Sequence, residues 1–206
     1  MPYGYVGDIS TKIKQSKKNN GVLTVNEVAD LQTDGSWGGS LELIQSQTIS
    51  SGSTMNFTSI KESKYDIHLL QAKNCESSSA NTSISVRLSN DGGSSYEAGT
   101  SYEIALQYGT EGGTFGGVNS TSTSYMQFMS DTANNTRGGY MYLYNLGDSA
   151  KYSFSTYQQM EETSMSFGVS VYDTAETINA IQVLTTNTNA WTGTVGLYGI
   201  KQIWVT

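Results

Sequence analysis

The chain reads as an all-β protein, a jelly-roll-type β-sandwich preceded by an extended N-terminal arm, and three observations predict it. From residue 41 onward, apolar residues alternate with Ser, Thr, Gln and Lys at period two, the pattern of a strand with one face in a core. Clusters of Gly, Asn and Asp break that alternation at short intervals, as turns between antiparallel strands do. The single proline, Pro2, lies outside the patterned region, so no strand is excluded by a missing backbone donor.

Taken in order, residues 1–40 stand apart. Lys12 to Lys18 (KIKQSKK) concentrates four of the eleven basic residues, and Thr24 to Leu31 (TVNEVADL) places Val25, Val28 and Leu31 on one helical face. Thr24 as N-cap, with Glu27 three residues on, has capping-box spacing, which predicts a short helix of two turns. So short a segment buries no core of its own, which leaves a flexible tail or an arm ordered by a partner, and the regular apolar spacing favours the arm. The Gly-rich joint Gly35 to Ser40 (GSWGGS) leads into a single sandwich domain, residues 41–206.

About ten strands are expected there: 41–50, 64–73, 82–89, 101–108, 124–129, 139–146, 151–157, 164–172, 177–184 and 193–205. Asn90-Asp91-Gly92-Gly93 reads as the turn of a hairpin, Arg137-Gly138-Gly139 and Gly147-Asp148 as further turns, and Asn187-Thr188-Asn189 as the break before the last strand. An immunoglobulin-like sandwich is the competing architecture. It lacks the Cys…Trp…Cys spacing, because Cys75 is the only cysteine and Trp37, Trp191 and Trp204 fall near the two ends.

Composition narrows the function. Charged residues make up only 14 % of the chain, against about 25 % in typical domains, so its polar surface is built from hydroxyls and amides, in the style of an extracellular or virion protein. A net charge of −7 argues against nucleic acid, whose phosphates need a basic face. No apolar run is long enough to span a membrane, and the N-terminus lacks a basic region followed by an apolar stretch, so neither membrane insertion nor an export signal is expected. One cysteine allows no internal disulfide, which fits folding in a reducing cytoplasm.

Catalytic chemistry finds little footing. His68 is the only histidine, on the strand face opposite Ile67 and Leu69, and no G-x-S-x-G elbow accompanies it. One His and one Cys build no structural zinc site, and the Asp91–Glu97 loop lacks the alternating ligands of a calcium loop. Glu161 and Glu162 are adjacent, so on a strand they point to opposite faces. The glycines of Tyr108 to Gly117 have neither the Lys-Ser/Thr ending nor the following helix of a phosphate loop. No enzyme activity, cofactor or metal is therefore expected. Tyrosines remain, 14 of the chain's 22 aromatic residues, densest where Tyr140, Tyr142 and Tyr144 share one strand face opposite Met141 and Leu143. Such a ladder can stack on sugars, pack against a neighbouring subunit or line the sandwich itself.

The opening MPYGYVGDIS and NNGVLTVNEVADL, the Gly-rich joint, LELIQSQTIS, NFTSIKESKYDIHLL, VRLSNDGGSSYEAGTSYEIAL and MYLYNLGDSAKYSF together resemble a family of tail-fibre-like or capsid-decorating virion structural proteins of marine tailed bacteriophages. The resemblance covers nearly the whole chain and rests on running similarity. It implies a viral protein made in the host cytoplasm and carried on the virion, with a short N-terminal anchor, a displayed jelly roll and a homotrimeric assembly. It places the anchor at Tyr3 to Leu31, including Tyr5, Ile9, Lys12, Lys14, Lys17, Lys18, Val25 and Val28, docking on other virion proteins of tail or capsid. A module of a phage fibre that binds a host-surface glycan or receptor through Tyr140, Tyr142 and Tyr144 is the alternative reading.

Overall fold

Twelve strands account for the patterned region in the computed structural model, which describes residues 41–79, 82–129 and 135–200 and, before them, Asn26 alone. The expected anchoring arm, its helix and its joint lie outside the described residues apart from Asn26, as does the end of the last expected strand beyond residue 200. The chain divides into two compact units, Met1–Glu42 and Leu43–Thr206, and the strands belong to the second, apart from residues 41 and 42 at the start of the first strand.

The strands are β1 Leu41–Gly52, β2 Thr54–Phe57, β3 Ile67–Ser77, β4 Ile84–Ser89, β5 Tyr102–Thr110, β6 Phe115–Thr123, β7 Met126–Met129, β8 Arg137–Tyr144, β9 Ser153–Glu161, β10 Ser164–Tyr172, β11 Ala180–Thr185 and β12 Trp191–Ile200. They form an eight-stranded sheet, β1-β12-β3-β8-β9-β10-β5-β6, and a four-stranded sheet, β2-β11-β4-β7. The antiparallel pairs β2·β11, β3·β8, β4·β7 and β5·β6 are nested, each enclosing the next along the chain. A long hairpin wound in this way into two facing sheets is a jelly roll. Two additions enlarge one sheet: the hairpin β9–β10 is inserted between β8 and β5, and β12 and β1 extend it beyond β3.

Between the sheets lies one apolar core. Phe57, Leu70, Val86, Leu88, Met141, Leu143, Ile181, Val183, Val195 and Leu197 are fully enclosed in it, with Trp191 at its margin. Alternation delivers them: in β8, Met141 and Leu143 point inward while Tyr140, Tyr142 and Tyr144 point out.

Several turns differ from expectation. Asn90 to Gly93 does turn, with Gly92 and Gly93 at φ 75° and 86°, but it closes no hairpin, because it carries the chain from β4 in the small sheet to β5 in the large one. Arg137-Gly138-Gly139 is no turn at all and forms the start of β8. Glycine is required there by close packing: a Cβ on Gly139 would stand 2.5 Å from the carbonyl oxygen of Gln158 on β9. Thr54–Phe57 is too short to show alternation, and Phe115–Thr123 is too rich in Gly, Ser and Thr, so β2 and β6 are strands that periodicity does not reveal. The glycines of Tyr108 to Gly117 belong to the β5–β6 hairpin, with Gly113 at φ 78°.

Candidate functional site

The side chains weighed for chemistry are dispersed and enclosed. His68 faces the core, fully buried, with Nε2 2.8 Å from the Ile60 carbonyl oxygen and the Tyr65 ring edge-on at 6.0 Å. Burial lowers its pKa, opposed by the Ile60 bond and by Glu62 and Asp66. Cys75 is also buried, and desolvation pushes its thiol up to about 12 despite the attraction of Arg137. Glu161 turns inward to Arg137, 3.4 Å away with both side chains shut off from solvent, and receives the Ser164 hydroxyl; Glu162 is exposed. The Asp91 carboxylate is taken up by its own loop, accepting from the Ser89 and Ser95 hydroxyls and the Ser95 N–H, bonds that hold its pKa at about 2. Glu97 accepts instead from the Gly99 N–H. Among the described residues, no three His, Cys, Asp or Glu side chains are grouped to hold a metal ion.

What the fold does bring together is a surface. On the outer face of the large sheet, four rows of side chains run across the strands in register. Ile200, Ile67, Tyr144, Phe154 and Val171 form the first row, and Tyr198, Leu69, Tyr142, Thr156, Val169 and Ala105 the second. Gly196, Gln71, Tyr140, Gln158, Phe167 and Gln107 form the third, and Gly138, Met160, Met165, Gly109 and Phe115 the fourth. Charge is confined to two positions at the corners of the face, Glu103 beside Val171 at the end of the first row and Lys73 beside Thr194 in line with the fourth. Phe154, Met160, Met165, Phe167 and Val169 are each 40–60 % exposed, and Phe115, at the tip of the β5–β6 hairpin, is 84 % exposed.

The expected tyrosine ladder sits in the middle of this face. Tyr140 and Tyr142 meet edge to face at 5.7 Å between centroids, and Tyr142 and Tyr144 lie tilted at 6.4 Å. The Tyr140 hydroxyl donates to Gln158 Oε1 at 2.8 Å, and the Tyr144 hydroxyl lies 3.4 Å from that of Thr156. Beside the ladder a shallow trough of about 670 Å³ runs over β10, β5 and β6, floored by Ala105, Gln107, Thr156, Phe167 and Val169.

The face carries residues beyond the tyrosines because β9 and β10 are inverted with respect to the usual rule. Apart from Tyr157 and Tyr172, which reach the core, their inward-facing buried side chains are Ser153, Ser155, Gln159, Ser166 and Ser170, while Phe154, Met160, Met165, Phe167 and Val169 look outward. Opposite these serines packs β7, whose Met126, Phe128 and Met129 are fully enclosed. Large side chains supplied from one sheet leave room only for small ones on the other. The expectation that the apolar set of each strand faces the core therefore fails for most of β9 and β10, where only Tyr157 and Tyr172 follow it. A mixed Ser/aromatic alternation, as in SMSFGVSVY, was the available signal, but it specifies two faces without saying which is inside.

Comparison with protein-family models and with curated proteins finds no match.

Proposed function

We propose that this chain is a structural protein of a bacteriophage virion, a jelly-roll module held to tail or capsid by its N-terminal arm and assembled with copies of itself, as a homotrimer, on the particle surface. The observation that carries the reading is the outer face of the large sheet. A domain that exposes Phe115, Phe154, Met160, Met165, Phe167 and Val169 together on one sheet face, and whose titratable groups are dispersed or buried, offers contact in place of chemistry. The hydroxyl- and amide-rich remainder, the net charge of −7 and the sequence resemblance support display on a particle. Jelly rolls serve both as capsid modules and as lectins.

Deleting residues 1–31 tests the anchoring role. The truncated protein is expected to fold and to be missing from purified particles, as judged by immunoblot and by circular dichroism of the isolated protein; its continued incorporation would overturn the role. The second reading, a glycan-binding module, draws on the tyrosine ladder and the adjoining trough. It predicts saccharide binding on a glycan array that is lost in Tyr142→Ala.

A further inference from the structure

We infer that the outer face of the β12-β3-β8-β9-β10 sheet is where copies of this chain pack against one another, sheet face to sheet face, with β9 and β10 near the centre of the contact. The inference deepens the assembling role proposed above and rests on it. Three observations carry it. First, strands apolar on both faces are strands covered on both faces. β8 meets this description, with Met141 and Leu143 on its inner face and three tyrosines outward, and beside it β10 turns its bulky apolar side chains, Met165, Phe167 and Val169, entirely outward.

Second, the extent is right for a second copy. Four rows about 7 Å apart, across five strands about 4.8 Å apart, cover roughly 650 Å² a side. Two such faces bury roughly 1,300 Å², inside the range of about 1,200–2,000 Å² for stable interfaces.

Third, the chemistry of the face matches itself better than it matches a charged partner. Every copy carries −7, so copies approach most easily through this face, whose only charges in the four rows are one of each sign, Glu103 and Lys73, at its corners. Its polar groups are the Gln71 and Gln158 amides and the Tyr140, Tyr142, Tyr144, Tyr198 and Thr156 hydroxyls. Each is donor and acceptor at once, so they can pair with the polar groups of the same face on a neighbouring copy. Sheet faces packed at about 10 Å then enclose the methionines and phenylalanines between them.

The test is the solution mass of the purified full-length chain by light scattering, together with Phe167→Glu and, as a second variant, Met165→Lys. Both positions are already exposed, so neither variant empties the core. The wild type is expected at a multiple of 22.3 kDa and both variants at 22.3 kDa, with unchanged circular dichroism. A wild type that stays monomeric at high concentration overturns the inference, and so does a folded variant that keeps the wild-type mass.

Thiol labelling gives a readout independent of the variants' folding. Cys75, the chain's only cysteine, is buried and contributes little background, so Thr156→Cys can report on the centre of the face and Ser149→Cys on the β8–β9 turn. Slow maleimide labelling at residue 156 with fast labelling at 149 is expected, and equal rates overturn the inference. Solution mass and labelling need no particle, whereas loss of the 1–31 segment is scored on particles, so failure of the packing face and failure of the virion role are separately visible.

Discussion

Replacing Glu161 by Gln isolates the electrostatics of the enclosed pair that closes one end of the outer face. Arg137 opens β8 and Glu161 ends β9, directly opposite in register, with Nε and Oε2 3.4 Å apart and neither side chain reaching solvent. One step along the two strands, Gly138 faces Met160 in the fourth row of the face, so the pair pins the edge of that surface. Breaking a buried pair by removing one partner costs about 3–5 kcal/mol, because it strands the other charge in a low-dielectric site. Gln keeps the shape and an acceptor oxygen, and Arg137 Nη1 still donates to the Thr82 carbonyl at 3.2 Å, which favours the lower end of that range. For a domain of this size each kcal/mol lowers Tm by about 2–4 °C, so about 3 kcal/mol becomes roughly 6–12 °C. Urea titration followed by circular dichroism measures the loss directly. The double variant Arg137→Met, Glu161→Met, which removes both charges together, is expected to recover most of it. A Glu161→Gln protein within about 0.5 kcal/mol of wild type would refute the reasoning, since it would mean that water reaches the pair and screens it.

Buried and loop-bound polar groups set the remaining expectations. His68 has a lowered pKa in the folded state, so the unfolded chain binds its proton first as pH falls. Its contribution to stability is full above about 6.5 and declines below that toward the folded value. The urea midpoint should therefore fall as pH drops below about 6.5, less steeply in His68→Gln, and equal slopes would count against a buried neutral imidazole. Asp91, held at about 2, loses its contribution only below its ordinary carboxylate range and so acts in a separate window. Tyr102 is fully buried, and its hydroxyl accepts from the Leu88 N–H at 3.0 Å and donates to the Glu97 carbonyl at 3.3 Å. Tyr102→Phe leaves a buried backbone donor unmet and should cost about 1–3 kcal/mol, read as a lower urea midpoint; an unchanged midpoint would show that another acceptor replaces the phenol.

The amino-acid sequence by itself determined the all-β class, ten of the twelve strands to within a few residues, and the common face of Tyr140, Tyr142 and Tyr144, because period-two alternation is a local property of an extended chain. It also determined that the possible chemistry is sparse, with one histidine and one cysteine. Pairing was not local. Whether Asn90 to Gly93 closed a hairpin or crossed between sheets depended on where β11 and β10 lay, more than seventy residues away. Gly138 and Gly139 looked like a turn and proved to be strand, because β9 approaches too closely for a side chain at residue 139.

Tertiary structure alone decided the direction of the two faces of β9 and β10. Alternation tells that Ser166 and Phe167 point oppositely, and only the presence of Met126, Phe128 and Met129 on β7 puts the serine inside and the phenylalanine out. The tyrosine ladder thereby became part of a face five strands wide, whose extent depends on packing volumes contributed by a distant strand and not on any residue within the face itself.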